Sequence, residues 1–226
     1  MSDLQLLDLR DHRDLRLDLA NAGTRHFVQI VSDEVPVAAL EYPILFAKNP
    51  ETGAFYAGAV FGLEAGTNLF APDGLLTGYR PADLVRQGFF LNDGRIAIAP
   101  GDPVFVPDGK PIFDEQGEPT QALREVQHAM HVLQRGLPET DGMIARYVEH
   151  RLIEPIDITL DFDDGSRLQL EGLYSISLDA LHALPDEVAT ALFRNGDLQI
   201  AYLQAASVHH IRRMASIRNE RLFEAA

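Results

Sequence analysis

The sequence predicts an α+β protein in which antiparallel β-hairpins form a mixed sheet or partial barrel, packed with about four to six helices mostly in the C-terminal half. Three observations carry this. Short apolar runs in the first half are joined by Asn49-Pro50-Glu51-Thr52-Gly53 and Asn92-Asp93-Gly94, sequences that turn a strand back on itself. Residues 156–170 alternate apolar and polar side chains on both sides of Asp163-Asp164-Gly165. From Thr120, apolar residues elsewhere recur at three- and four-residue intervals, the period of an amphipathic helix.

Taken in order, Arg25 to Val31 alternates as a strand does, and Phe27 and Val28 favour that conformation. Ile44 to Ala47 and Ala54 to Gly62 form the first hairpin. Asn68 to Tyr79, punctuated by Pro72, Asp73, Gly74 and Gly78, reads as loop. Pro81, suited to a first helical turn, opens a short helix to Gln87. Phe89 to Leu91 and Arg95 to Ala99 make the second hairpin, and Pro100 to Pro111 is irregular. Thr120 is the expected N-cap of a helix carrying Leu123, Val126, Met130, Leu133 and Leu137. Gly136 and Pro138 are expected to end it, with Thr140 or Asp141 capping another through Ile144, Tyr147, Val148 and Leu152. Ile156, Ile158, Leu160 and Phe162 pair with Leu168 and Leu170 across the Asp-Asp-Gly turn. Ser177 caps a helix through Leu181, Pro185 starts one that stops at Asn195-Gly196, and Leu198 to Ile211 gives a final helix.

The chain has 226 residues, a length that suits one domain over 1–226, with a core near 25–216 and flexible ends; Pro100 to Pro111 is the one candidate boundary. A net charge of −15 disfavours nucleic acid as a partner, because phosphate binding needs clustered cations. The one basic cluster, Arg212, Arg213, Arg218 and Arg221, falls where cations complement a helix C-terminus. With no cysteine, disulfides, thiolate metal sites and a cysteine nucleophile are excluded. Charges interrupt the first twenty residues, and no apolar run approaches a membrane span, so the expectation is a cytoplasmic protein with no membrane insertion.

Several constellations invite chemistry and are explained more simply. His128 and His131 share a helical side and would need a third ligand such as His150 to hold a metal, but no HExxH pattern supports this. His209 and His210 are adjacent and diverge on a helix. His12-Arg13-Asp14 matches part of an iron triad, yet lies in a charge-alternating segment expected to be poorly ordered. Asp163-Asp164-Gly165 lacks the front half of a calcium loop and reads as a hairpin turn. Asp114, Glu115 and Glu118 surround Gly117 and could weakly hold a cation, or place negative charge before a helix start. No GxSxG, GxGxxG or Walker sequence is present. The expectation is no metal, no cofactor and no assignable catalytic residue.

Six phrases, in order, carry a resemblance. They are Glu41-Tyr42-Pro43-Ile44-Leu45-Phe46; Gly62-Leu63-Glu64 with Asn68-Leu69-Phe70; Gly78-Tyr79-Arg80-Pro81; Phe113 to Thr120; Gly172-Leu173-Tyr174; and Leu181 to Glu187. Across roughly Phe27 to Met214 the chain resembles the SapC family, bacterial proteins linked by name to surface layers. Relatives often stand beside outer-membrane nutrient receptors, cupin-like oxygenases and flavin-dependent halogenases. The resemblance implies an accessory binding or assembly protein of an envelope or uptake system, without catalysis. The alternative is an enzyme, or an enzyme's partner, in such a modification system. The expected partner is a protein, a peptide or a small molecule, and a homo-oligomer is possible. Tyr42, Asn68, Tyr79, Arg86 and Tyr174 are the candidate ligand-binding residues, because tyrosine offers a rigid apolar face with a polar tip.

Overall fold

The computed structural model describes residues 4–18, 25–71, 74–76 and 78–224; Pro72 and Asp73 of the expected loop lie outside the described residues. The chain opens with β1 (Gln5–Leu6), α1 (Leu9–His12) and β2 (Arg16–Leu17). Next come β3 (Phe27–Gln29), a 3₁₀ turn (Ser32–Glu34), α2 (Val35–Ala38) and the hairpin of β4 (Ile44–Lys48) and β5 (Phe55–Val60). The short helix α3 (Ala82–Val85) precedes a second hairpin, β6 (Phe89–Asn92) and β7 (Arg95–Ile98), and then β8 (Lys110–Pro111). A long α4 (Gln121–Glu149) leads to β9 (Ile153–Pro155), β10 (Ile158–Asp161), β11 (Arg167–Leu170) and β12 (Leu173–Ile176). Four helices close the chain: α5 (Leu178–His182), α6 (Asp186–Asn195), α7 (Asp197–Ser207) and α8 (His210–Glu224).

The class is α+β, with helices mainly in the C-terminal half. Among the described residues the sheets are separate and wholly antiparallel rather than mixed: five strands in the order β3-β5-β4-β12-β9, three in the order β1-β7-β6, and the ribbons β10-β11 and β2-β8. None closes into a barrel. The turns behave as their residues demand. Asp93 and Gly94 both take positive φ, which a tight hairpin between right-twisted strands requires.

The five-stranded sheet is covered on both faces. Ile44 and Phe46 of β4 enter one core with Tyr42, Phe61, Ile144 and Tyr147, while Leu45 enters another with Phe162, Ile211 and Met214. A strand buried on both sides needs an unbroken apolar run, as Ile-Leu-Phe-Ala supplies. Full burial of each such side chain contributes about 1.5–3 kcal/mol.

Three expectations are corrected. First, α4 does not break at Gly136 and Pro138 but runs through both for 29 residues, or roughly 44 Å. Gly136 packs against the Val31 side chain, and Thr140 Oγ1 donates to the Gly136 carbonyl at 2.7 Å while accepting from Ser32 N at 2.8 Å. Pro138 and Gln134 are exposed, so the turn that lacks the proline N–H lies on the solvent side of the helix. Thr140 therefore ties the helix to the 3₁₀ turn instead of capping a new one. Thr120 does occupy the N-cap position of α4, but its hydroxyl donates to the Pro111 carbonyl at 2.6 Å. Second, the expected last helix is two, α7 and α8, parted at Val208-His209. Third, elements precede Arg25: β1 pairs with β7, and β2 pairs with β8. Leu17 is fully buried there, so apolar positions between the charges, rather than the charges, decide the packing.

Candidate binding site

The site grows from a buried carboxylate. Glu34, 4% exposed, ends the 3₁₀ turn. Its Oε2 accepts from Val31 N at 3.0 Å; its Oε1 accepts from the Tyr79 hydroxyl at 2.9 Å and Ala82 N at 2.8 Å. Burial raises the Glu34 pKa, against those three hydrogen bonds. Both oxygens accept from donors of the fold, so this group positions chain. It fixes the start of α3, 48 positions on in sequence.

Glu41 completes the scaffold by accepting from Tyr79 N at 3.0 Å. Glu41 and the Tyr42 hydroxyl both press on Gly78, where a Cβ would collide with them. Thus Glu41-Tyr42 and Gly78-Tyr79, far apart in sequence, meet at one joint. Tyr42 is 1% exposed and sits edge-on between Phe61 and Phe70, with centroids 4.7 and 4.9 Å away. Burial raises the pKa of both Tyr42 and Tyr79, and each is a neutral hydroxyl in the fold.

The joint sets α3 against α4 and leaves a cleft on each flank. On one flank, buried Asp83 bridges two guanidiniums. Arg86 Nε lies 2.9 Å from Asp83 Oδ1, Arg25 pairs with Oδ2, and Arg25 Nη1 also donates to the Asp83 carbonyl at 3.0 Å. Arg86 continues to the Phe89 carbonyl at 3.2 Å, with its guanidinium 5.5 Å from the Phe90 ring centre. Two guanidiniums share the one Asp83 carboxylate, so each keeps N–H donors that Asp83 does not use. They stand at the junction of two hollows. One, about 580 Å³ and polar, includes Arg25, His26, Asn49, Arg86 and Asp141. The other, about 210 Å³ and largely apolar, includes Arg86, Phe90, Leu91, Leu133 and Leu137. The chemistry available is capture of a negative group at Arg25 and Arg86, beside a slot for an apolar one. The opposite flank holds a separate cleft of about 520 Å³ with Tyr79, Arg80, Arg124 and His128 in its wall.

The five sequence-nominated residues are not gathered in one place. Tyr79 and Arg86 bracket α3; Tyr42 lies in the core beneath the joint. Asn68 is buried, accepting from Phe70 N at 3.0 Å, with Arg221 Nη1 on its carbonyl at 3.4 Å. Tyr174 lies on β12, edge-on to Phe55 at 4.9 Å, and Lys48 Nζ sits 5.0 Å from its ring centre. Glu34, Asp83, Arg25 and Arg80 were missed. The only local hint was Glu34 three residues after Val31, the spacing at which a glutamate reaches back to a helix start.

The other constellations are placed as follows. His128 and His131 are exposed on α4, and among the described residues no group of three histidines and carboxylates converges. His12 Nδ1 lies 3.1 Å from the backbone of Asp8 at the start of α1. Asp114 Oδ1 accepts from Gln116 N and Glu118 N at 3.0 and 2.8 Å, closing the acidic turn on itself. The arginines of α8 do not merely complement a helix end. Arg221 donates to the Leu69 carbonyl at 2.6 Å, and Arg218 stacks 3.7 Å over Phe162.

Together these features define an α+β protein of open antiparallel sheets whose short α3 separates two clefts against α4. No helix of the described residues is long and apolar enough to cross a membrane. The chain belongs to the SapC family, whose model matches residues 7–214 and so takes in most of the N-terminal elements as well. No curated protein and no solved structure matches it.

Proposed function

We propose that this SapC-family protein is a non-catalytic binding protein, accessory to a bacterial envelope or nutrient-uptake system, and that it holds an amphipathic anion beside α3. The observation that carries the reading is Asp83 bridging Arg25 and Arg86 where the polar hollow meets the apolar slot. A carboxylate or similar head would accept from the guanidinium N–H groups that Asp83 leaves over, and its alkyl or aryl part would lie along Phe90 and Leu133. The commitment of Asp83 to the two guanidiniums supports binding over turnover, since the buried carboxylate that lines both hollows is already paired.

Calorimetry with 3-phenylpropionate and its uncharged analogue 3-phenylpropanol tests this. The acid should bind and the alcohol should bind at least tenfold more weakly, about 1.4 kcal/mol. Arg86→Gln should abolish that preference while circular dichroism stays unchanged. Equal binding of both, or none of either, would reject the reading.

A further inference from the structure

We infer a second, separate oxyanion site on the opposite flank of α3, built on Arg80 with Arg124 and His128. It shares no lining residue with the Arg25–Asp83–Arg86 cleft and does not depend on that cleft's ligand. Arg80 Nε is fully shielded from water, and no hydrogen-bond partner exists for it among the described residues. A guanidinium N–H taken out of water with no acceptor destabilises the fold. Folds rarely keep one unless something else supplies the acceptor.

The neighbouring carboxylates do not supply it. Glu34 spends its oxygens on Val31, Tyr79 and Ala82. Glu125 lies near enough to attract Arg80 but takes a hydrogen bond from Gln121 Nε2 at 3.2 Å, one turn along α4. Asp18 also attracts Arg80 electrostatically, and Arg80 Nε still has no hydrogen-bond partner. Desolvation outweighs both attractions and lowers the Arg80 pKa, the signature of a cation held short of its counter-charge.

The cleft beside it, about 520 Å³, is large enough for a ligand. Arg124 and His128 lie one turn apart on α4 and add donors to the same wall, while Val85, Ala129 and Val132 make the rest apolar. An external carboxylate or phosphate oxygen fits this donor set once a turn of the Arg80 side chain brings Nε, which water does not touch in this structure, to the cleft wall. A protonated amine does not, because the wall's unmet need is an acceptor and an ammonium offers only donors.

The test is NMR of the full chain labelled with ¹⁵N-arginine, with Arg80→Lys assigning the Arg80 Nε–H signal. Sodium phosphate and sodium acetate are titrated separately, against sodium chloride at equal ionic strength. The Arg80 signal should move and saturate with one of the two oxyanions and stay still with chloride. Which one moves it separates a phosphate-type from a carboxylate-type ligand. Arg80→Lys keeps the charge but lacks the Nε donor, so affinity should fall at least tenfold; Arg86→Gln should leave it unchanged. An Arg80 signal unmoved by either oxyanion, or moved equally by chloride, overturns the inference. So does affinity that survives in Arg80→Lys. Should that variant fold poorly, the wild-type titration decides alone, with Arg80 assigned through its backbone.

Discussion

His210, at the start of α8, shows how one side chain can set a pH response. It is 8% exposed, and its Nε2 lies 3.1 Å from the Ala39 carbonyl, so that nitrogen carries a proton and donates. Burial lowers its pKa below the ordinary 6.5, and His209 and Arg213 add to this against the Ala39 hydrogen bond. The unfolded chain therefore takes up a proton before the folded one does. The stability this histidine contributes is full above about 6.5 and is lost as pH falls through that value toward the folded pKa. His210→Gln keeps an N–H for Ala39 and removes the titration. Urea unfolding at pH 7.5 and 5.5 should show wild type losing more stability than the variant over that interval. An equal loss would mean that the imidazole is as readily charged in the fold as outside it. Nothing in His209-His210 announces this, because the ring packs on chain as distant as Ala39, 171 positions away. Glu34 was hidden for the same reason: Ser32-Asp33-Glu34 reads as a polar turn until Tyr79 and Ala82 arrive.

At the scale of elements, legibility followed locality. The hairpins of β4–β5, β6–β7 and β10–β11 were readable because their turn chemistry lies inside them. So were α3, α5 and α6, each with its start signal and, for α6, Gly196 in the left-handed region at its end. The unbroken α4 was not, since its continuity rests on Val31 and Ser32 rather than on its own propensities. Two glycines of that helix test this with opposite signs. In each, alanine gains up to about 1 kcal/mol of helix propensity. At Gly136 the new Cβ would lie 2.7 Å from Val31 Cβ, and overpacking of that kind costs about 1–3 kcal/mol. At Gly142 it would meet only the flexible end of Arg146, at 3.6 Å. Gly136→Ala should therefore lower the melting temperature and Gly142→Ala should raise it. A gain in both would show that Val31 yields freely and that Gly136 is not what seats the helix.

At the scale of the molecule, the question is what binds the C-terminal helices to a sheet begun by N-terminal strands. Gln204 of α7, 1% exposed, gives much of the answer. The β4–β12 ladder pairs Ala47 with Leu173 and Phe46 with Tyr174, and then the strands part. Into that gap Gln204 donates from Nε2 to the Ile44 carbonyl at 2.6 Å and accepts at Oε1 from Ile176 N at 2.9 Å. Ser207, one turn on, accepts from Ile44 N at 2.8 Å. One amide thus stands in for a missing rung, and α7 becomes part of the sheet's hydrogen bonding. Gln204→Leu fills similar volume but leaves a buried carbonyl and a buried N–H unpaired, at roughly 1–3 kcal/mol each. Unfolding by urea should show a loss of about 2–4 kcal/mol, and exchange of the Ile176 amide should speed up markedly. Gln204→Glu keeps the acceptor for Ile176 but sets a second acceptor against the Ile44 carbonyl, so it should cost at least as much at neutral pH. The Ile44 amide, held by Ser207, should change less than that of Ile176. If both variants stay within about 0.5 kcal/mol of wild type, the strands close by themselves and the helix merely rests on them.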